Sequence, residues 1–299
     1  MDQTTAWAGD REPSVDLDVF APPQQRRWTV LLRIILAIPQ LIAMWLLSVG
    51  AFIVVIIGWF GALFTGRLPE FAGDYLRSYV AYAGRVYGYT MLLVDQYPPF
   101  TLETAPDYPV RVLFPQPTPL NRLAVLFRFF LALPILILVS WFMAGWAVMA
   151  IVIWAIVLIT GRLPQALFES TAAVLRMQVR VDAYFYLLTP TYLKGIFGDG
   201  QAPQAAPGYP APEGYPAAQG YPAAPGYPAA PAYPAAENFP TPASGFGAGS
   251  PTRPLLLSQA ARILLIVMLV LGILSSATNA VVGPDNETVE YDYNSLVVP

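Results

Sequence analysis

The chain has 299 residues, of which 56% are hydrophobic and only 12% are charged, and its formal net charge is -3. A composition this apolar is unusual for a soluble domain and indicates that lipid solvates much of the surface. The absence of every Cys and His excludes disulfides, thiolate nucleophiles, imidazole bases and the usual zinc and copper sites. We therefore expect a membrane protein with no catalytic, cofactor-binding or metal-binding residues.

The first segment, residues 1–25, is polar and acidic and contains Pro. It has no basic stretch leading into a short apolar run with a cleavage site, so no cleavable signal peptide is expected. We predict that this segment is a polar cytoplasmic N-terminus.

Two apolar runs, residues 30–64 and 125–159, are 35 residues long and are interrupted only by Arg33 and Arg128. About 20 helical residues cross a bilayer core, so each run predicts a helical hairpin of two short crossings. Gly50 and Gly145 lie near the middle of the runs, where a tight reversal favours glycine. A re-entrant hairpin that enters the membrane and returns to the same side remains the alternative.

The two runs belong to an internal repeat. A shift of 95 residues aligns 27–97 with 122–192 without a gap, and 24 of the 71 positions are identical. The longest identical run is Thr-Gly-Arg-Leu-Pro, at residues 65–69 and again at 160–164. We interpret this self-similarity as a duplication, so that both copies share one fold.

A less apolar stretch follows Pro69 and Pro164, residues that suit the first turn of a helix. Its polar residues recur at helical spacing, and the first copy adds a stripe of Tyr at positions 75, 79, 82 and 89. This pattern predicts an amphipathic helix in the membrane interface, with Tyr at headgroup level. A third span per copy is the alternative, but two Arg in the segment oppose it, because each costs at least ~2.5 kcal/mol at mid-bilayer.

The basic residues set the expected topology. They flank both apolar runs and precede the last one, residues 263–282, whereas residues 283–299 contain acidic residues and no basic one. The positive-inside rule then places the N-terminus in the cytoplasm and the acidic tail outside a bacterial inner membrane. The predicted fold is an all-α membrane protein with five spans: two tandem helical hairpins, each followed by an amphipathic interfacial helix, and one C-terminal transmembrane helix.

The predicted organisation divides the chain into seven segments. They are a polar N-terminus (1–25), a first membrane repeat (26–100), a Pro-rich connector (101–119), a second membrane repeat (120–197), a Pro/Tyr/Ala/Gly linker (198–254), the last transmembrane helix (255–282) and the acidic tail (283–299).

The linker has an aromatic residue followed by Pro at every sixth position. Such a segment lacks the residues that pack a core and is expected to be disordered or partly polyproline-like. It is either a flexible tether for the last helix or a multivalent ligand for a groove on another protein. The candidate partner-binding residues are Tyr209, Tyr215, Tyr221, Tyr227 and Tyr233.

The repeat resembles the bacterial membrane domain of unknown function 4389, which is common in actinobacteria and often occurs in tandem. The resemblance covers roughly residues 20–197 and rests on Arg33 to Pro39, Thr65 to Pro69, Arg85 and Leu92 to Phe100, with their partners in the second copy. The second copy departs from the pattern at 189–193, where the Tyr-Pro-Pro segment is lost. The resemblance implies a membrane architecture and brings no assigned activity.

The arginines shared by the two copies are the main candidate site residues, as ligands of anionic lipid headgroups or as structural anchors. They are Arg33, Arg67, Arg85, Arg128, Arg162 and Arg180. Arg33 and Arg128 either snorkel to the cytoplasmic surface or face the bundle interior and pair with Asp74 or Glu169, the acidic positions matched in both copies.

These observations favour a non-enzymatic scaffold or partner-binding protein of the bacterial envelope. A small-solute, ion or lipid transporter, channel or accessory subunit is the alternative, and its main support would be an ion pair inside the bundle. Nucleic acid binding is not expected, because the basic residues lie at membrane boundaries and the net charge is negative. The oligomeric state is open.

Overall fold

The computed structural model describes residues 15–22, 24–192, 252 and 255–281, and within them the protein is mostly helical. Three of the described helices are long and apolar enough to cross a membrane: α2, α5 and α7. The elements, in chain order, are β1 (Asp16–Val19), α1 (Arg27–Leu31), α2 (Arg33–Thr65), α3 (Glu70–Thr90), β2 (Val110–Leu113), α4 (Arg122–Leu126), α5 (Arg128–Thr160), α6 (Gln165–Phe185) and α7 (Gln259–Val281).

Each apolar run forms one continuous helix of 33 residues, so the reversals predicted at Gly50 and Gly145 do not occur. The chain reverses instead at the repeated Thr-Gly-Arg-Leu-Pro run. Gly66 and Gly161 adopt φ values of 76° and 70° there, a left-handed conformation that glycine reaches without steric cost. The predicted position of the hairpin turns was therefore wrong. The five predicted spans are not found in the described residues.

The helical hairpin of the first copy is made by α2 and α3, which run antiparallel. Tyr75 donates a hydrogen bond from its hydroxyl to the carbonyl of Leu47 at 3.0 Å, and the Tyr82 hydroxyl donates to the Gln40 side chain. The tyrosine stripe thus packs against α2. The helices predicted after Pro69 and Pro164 are present, but they form the buried centre of the protein instead of lying free at an interface.

The two copies are related by a pseudo-two-fold axis. The indole N–H of Trp59 donates to the Val125 carbonyl at 2.8 Å, and its counterpart Trp154 donates to the Val30 carbonyl at 2.9 Å. In these bonds the C-terminal part of α2 contacts α4, and the C-terminal part of α5 contacts α1. The two long helices therefore run in opposite directions.

Two strands complete the symmetric unit as an antiparallel ribbon, which the all-α prediction missed. Leu17 pairs with Val112, and these residues are 95 positions apart, so the axis passes between them. Val112 contacts α3 at Gly84, which follows Tyr75 by nine positions and therefore lies on the opposite side of α3, at about 100° per residue. The order of layers is the ribbon, then α3 with α6, then α2 with α5.

The last helix, α7, has no counterpart in the first copy. It packs along α5 and also contacts α6. Gly145 of α5 and Gly272 of α7 allow the two backbones to approach closely, because a Cβ on either residue would overlap a main-chain carbonyl of the other helix.

Candidate functional site

A buried arginine closes the open end of each helical hairpin. Arg33 is only 3% exposed and donates hydrogen bonds to the carbonyls of Tyr89 and Val94, each at 2.8 Å. It also forms an ion pair with Asp95 at 3.0 Å, and its guanidinium lies 4.4 Å from the centre of the Tyr89 ring. Arg33 therefore joins the start of α2 to the segment that follows α3.

Arg128 performs the same task in the second copy. It donates from Nε to the Tyr184 carbonyl at 2.8 Å and from Nη2 to the Thr189 carbonyl, and its guanidinium lies 3.7 Å from the centre of the Tyr184 ring. Pro190 stands where the first copy has Asp95, so this copy lacks the matching carboxylate. Both arginines face the interior, and neither snorkels outward.

The alternative ion pairs of these arginines with Asp74 or Glu169 are not formed. Asp74 is exposed and pairs with Arg77 at 2.8 Å. Glu169 accepts hydrogen bonds from the Gln165 side chain and from the backbone N–H of Ser258, each at 2.8 Å. Burial raises the pKa of Glu169 and these hydrogen bonds lower it, so that its net pKa lies below the usual value. Glu169 thus caps the segment leading into α7.

Arg85 and Arg180 are also buried and bind the chain's own backbone. Arg85 donates to the carbonyls of Thr101 and Glu103, the latter at 3.3 Å. Arg180 donates from Nε to the Val15 carbonyl and from Nη2 to the Asp16 carboxylate, each at 2.8 Å. Burial lowers the pKa of Arg85. These two arginines attach the extended segments to α3 and α6.

Arg67 and Arg162 differ from the other four because they are exposed at the hairpin turns. Beside Arg67 lies a cavity of about 400 Å³ that also includes Glu70, Asp74 and Arg77. In the second copy Phe168 stands at the position of Gly73 and Ala172 at that of Arg77, so this charged lining is not repeated. Binding of lipid headgroups by Arg67 and Arg162 stays a prediction.

An apolar groove of about 310 Å³ lies on the first copy, between α2, α3 and the segment around Phe100. Its lining residues Ala43, Leu46, Leu47 and Tyr82 correspond to Leu138, Trp141, Phe142 and Met177 of the second copy. There α7 reaches the Trp141 carbonyl. The groove is therefore the first copy's equivalent of part of the α7 binding surface.

A half-buried acidic residue, Asp182, lies among tyrosines in the helical layer. Asp182 of α6 accepts a hydrogen bond from Gln178 at 2.9 Å and interacts electrostatically with Tyr79, Tyr87 and Tyr186. Burial raises the pKa of Asp182 to about 7, against the smaller opposing effect of Gln178. This carboxyl group can therefore change its protonation near neutral pH.

Comparison with known proteins identifies the repeat. The model of a domain of unknown function, DUF4389, matches residues 27–101 and again 122–192. The chain carries two tandem copies of this domain. No curated protein and no solved structure matches it. Each DUF4389 match covers one helical hairpin, from α1 or α4 to the segment that Arg33 or Arg128 binds, and the ribbon lies outside both matches.

The remaining predicted sites fall outside the described residues, namely the five linker tyrosines from Tyr209 to Tyr233 and the acidic tail at 283–299. Within the described residues, no three His, Cys, Asp or Glu side chains come together to hold a metal ion. Asp95, the two tryptophan donors and Asp182 were not predicted as functional residues. The identical spacing of Trp59 and Trp154 was a usable signal for the tryptophans, whereas Asp95 and Asp182 are each present in one copy only.

Proposed function

We propose that this chain is a non-enzymatic scaffold of the bacterial cell membrane, with a rigid two-repeat body that holds the Pro/Tyr linker at the membrane. The proposal rests on the partners of the buried arginines. Arg33, Arg85, Arg128 and Arg180 all bind backbone carbonyls of this chain, so they stabilise the fold and are not available to a passing solute.

The orientation follows from charge. Arg26, Arg27 and Arg67 lie at the two ends of α2, and no basic residue lies between Arg33 and Arg67. An excess of Lys and Arg favours the cytoplasmic side, so the N-terminus and the linker face the cytoplasm. The linker tyrosines then meet cytoplasmic proteins, and their six-residue spacing supports multivalent binding, because linked weak sites gain from a high effective concentration.

Transport is the second candidate, and Asp182 favours it. A half-buried carboxyl with a pKa raised to about 7 resembles the acidic groups of proton-coupled pathways. The arginines do not add to this support, because they are tied to the backbone. A transport role requires Asp182 to bind or release a proton during turnover, whereas a scaffold role does not.

Photo-crosslinking in native membranes, followed by mass spectrometry, tests the two candidates. A probe is placed near the linker, and the natural chain is compared with a variant in which the five tyrosines from Tyr209 to Tyr233 are replaced by Ser while every Pro is kept. The scaffold proposal expects protein crosslinks that the variant loses. A matched control replaces Tyr75 by Phe within the folded body and should keep them. An absence of protein crosslinks, together with a small molecule bound in an Asp182-dependent manner, would favour transport.

A further inference from the structure

The long helices are poorly matched to an upright crossing. A helix of 33 residues is about 50 Å long, whereas the hydrocarbon core of a bilayer is about 30 Å thick. Crossing would need a tilt of about 50°, beyond the usual range of roughly 0–40°. Both α2 and α5 have this length, and both are predominantly apolar after the arginine that begins each of them.

The protein has one strongly apolar face, which α2 and α5 form. Large apolar side chains project from α2 and α5 over their whole lengths, including Trp45 and Phe52 of α2 and Ile151 of α5, each at least 65% exposed. On the opposite side is the ribbon. Leu17 and Val112 pair on its inner face, and strand alternation places the partly exposed Asp16 and Arg111 on its outer face. This layering is expected of a protein that meets lipid on one side only.

The pseudo-two-fold axis passes through these layers, because it runs through the Leu17–Val112 pair of the ribbon and the contact between Gly84 and Val179 in the helical layer. A rotation about this axis keeps each copy on the same side. Both copies therefore present their long helix to the same surface. If α2 and α5 crossed a bilayer, the axis would have to lie in the membrane plane.

The extended segments oppose such a crossing. Residues 110–120 follow α3 back along its length, since Val110 contacts Gly88 and Leu120 donates its N–H to the Gly66 carbonyl at 2.8 Å. If α2 and α3 crossed the membrane, the non-helical backbone of residues 113–118 would lie at mid-depth. Lipid-exposed irregular backbone is not tolerated there, because its polar groups lack partners.

The arginines at both ends of the long helices agree with this argument. Arg27 and Arg67 mark the two ends of α2, and Arg122 and Arg162 mark those of α5, and all four are exposed. With both ends of a helix on the cytoplasmic surface, every one of these arginines obeys the positive-inside rule. With one crossing per long helix, half of them would violate it.

We infer that α2 and α5 lie along the cytoplasmic leaflet, roughly parallel to the membrane plane, with the ribbon facing the cytoplasm. The partner of the apolar face is the lipid of that leaflet. Because α7 lies along α5, it shares this orientation, and its C-terminal end remains on the cytoplasmic side, in contrast to the external tail that charge alone predicts. The inference rests on the membrane location in the proposed function and specifies how the body is embedded.

Site-directed cysteine labelling tests the inference cleanly, because the natural chain has no Cys. Full-length variants Arg27→Cys and Glu70→Cys place reporters at the two ends of the first hairpin, and Arg122→Cys and Arg162→Cys do so for the second. Phe52→Cys reports the lipid-facing middle of α2. Each is treated with a membrane-impermeant maleimide in intact cells and in inverted vesicles.

The expected result is that all four end reporters react in inverted vesicles and none in intact cells. Phe52→Cys should react in neither until detergent is added. Labelling of Arg27→Cys and Glu70→Cys from opposite faces overturns the inference, as does labelling of Phe52→Cys from the outer face, which a full hairpin would give.

Polarised infrared spectroscopy of the unsubstituted chain in oriented bilayers gives an independent measurement that needs no variant. Amide I dichroism should report helices in the membrane plane, and dichroism of upright helices overturns the inference. Opposite-sided labelling with linker crosslinks intact removes only this inference and leaves the scaffold proposal in place. Release of the chain from membranes by alkaline carbonate removes the inference and the membrane scaffold together.

Discussion

Gly145 and Gly272 determine how closely α7 approaches α5. Replacing Gly145 by Ala is therefore expected to weaken the association of α7 with α5. A Cβ on Gly145 would lie 2.9 Å from the Cα of Met268 and closer still to its carbonyl group, whereas ordinary contacts begin at 3.4 Å. The neighbouring atoms are backbone and cannot rotate away. α7 must therefore move by roughly 1–2 Å, which forfeits half or more of the dispersion energy at the crossing.

The expected cost is that of overpacking, about 1–3 kcal/mol, which corresponds to a roughly 5- to 150-fold weaker association of α7. A protease site inserted between residues 198 and 254 allows this to be measured. After cleavage, the fragment containing α7 should co-purify with the repeats of the natural chain and should be lost from Gly145→Ala. Gly272→Ala should behave alike, because its Cβ would meet the Trp141 carbonyl and lie 3.0 Å from the Gly145 nitrogen.

The internal repeat supplies the matched control. Gly50 is the counterpart of Gly145, but a Cβ there would meet only the side chain of Tyr75, whose ring carbon Cζ would lie at 3.2 Å. Gly50→Ala should therefore displace the Tyr75 hydroxyl and lose its hydrogen bond to Leu47, at a cost of about 1 kcal/mol, while α7 is retained. Full retention of α7 by Gly145→Ala, or equal loss in both variants, would refute the reasoning.

Three further predictions concern the folded body, and thermal unfolding in detergent measures each of them. Arg128→Met leaves the buried carbonyls of Tyr184 and Thr189 without their donor and should lower the free energy of unfolding by about 2–5 kcal/mol. Arg128→Lys should recover part of this loss. Unchanged stability of Arg128→Met would contradict a structural role for these hydrogen bonds. Trp59→Phe and Trp154→Phe each remove one inter-repeat hydrogen bond, and we expect losses of about 1 kcal/mol that add in the double variant, because the two bonds lie at separate junctions. Asp182 has a folded pKa of about 7 against an ordinary 3.8, so the native state binds the extra proton and stability falls as pH rises from about 4 to 7. Asp182→Asn should remove this pH dependence and be the more stable chain at pH 8, by at most about 4 kcal/mol, and an identical pH profile for both chains would show that the carboxyl is ionised throughout.

The duplication and the helix starts after Pro69 and Pro164 could be predicted from residue identities and spacing. The same pattern singled out Arg33 and Arg128, but their interior position was only one of two alternatives. The position of the reversal could not be predicted, because glycine serves two purposes. Gly66 provides a positive φ at a turn, whereas Gly145 provides space for another helix inside a continuous one. Which of these roles a glycine has depends on whether another helix packs against it, and only the tertiary structure shows that.

The ribbon was missed although its sequence carries a signal. Residues 15–19, Val-Asp-Leu-Asp-Val, alternate apolar and acidic residues with the period of a half-buried strand. The segment was assigned to a polar terminus because its partner strand is nearly 100 residues away. Asp95 and Asp182 could not be predicted either, since each occupies a position where the other copy has a different residue. Only the fold brings Asp95 to Arg33 and Asp182 to the tyrosines around it.

The bonds of Trp59 and Trp154 each join one copy to the other, and the same is true of the ribbon. A lone copy would therefore leave an indole N–H, a strand edge and the flank of its amphipathic helix without partners. Such a unit would associate with a second copy of itself through an isologous interface, in which each surface meets its own image. Duplication within one chain makes that pairing independent of concentration. It also allows the two halves to differ: Tyr75 covers Gly50 in the first copy, whereas the second copy has the smaller Ser170 at that position and α7 lies against Gly145.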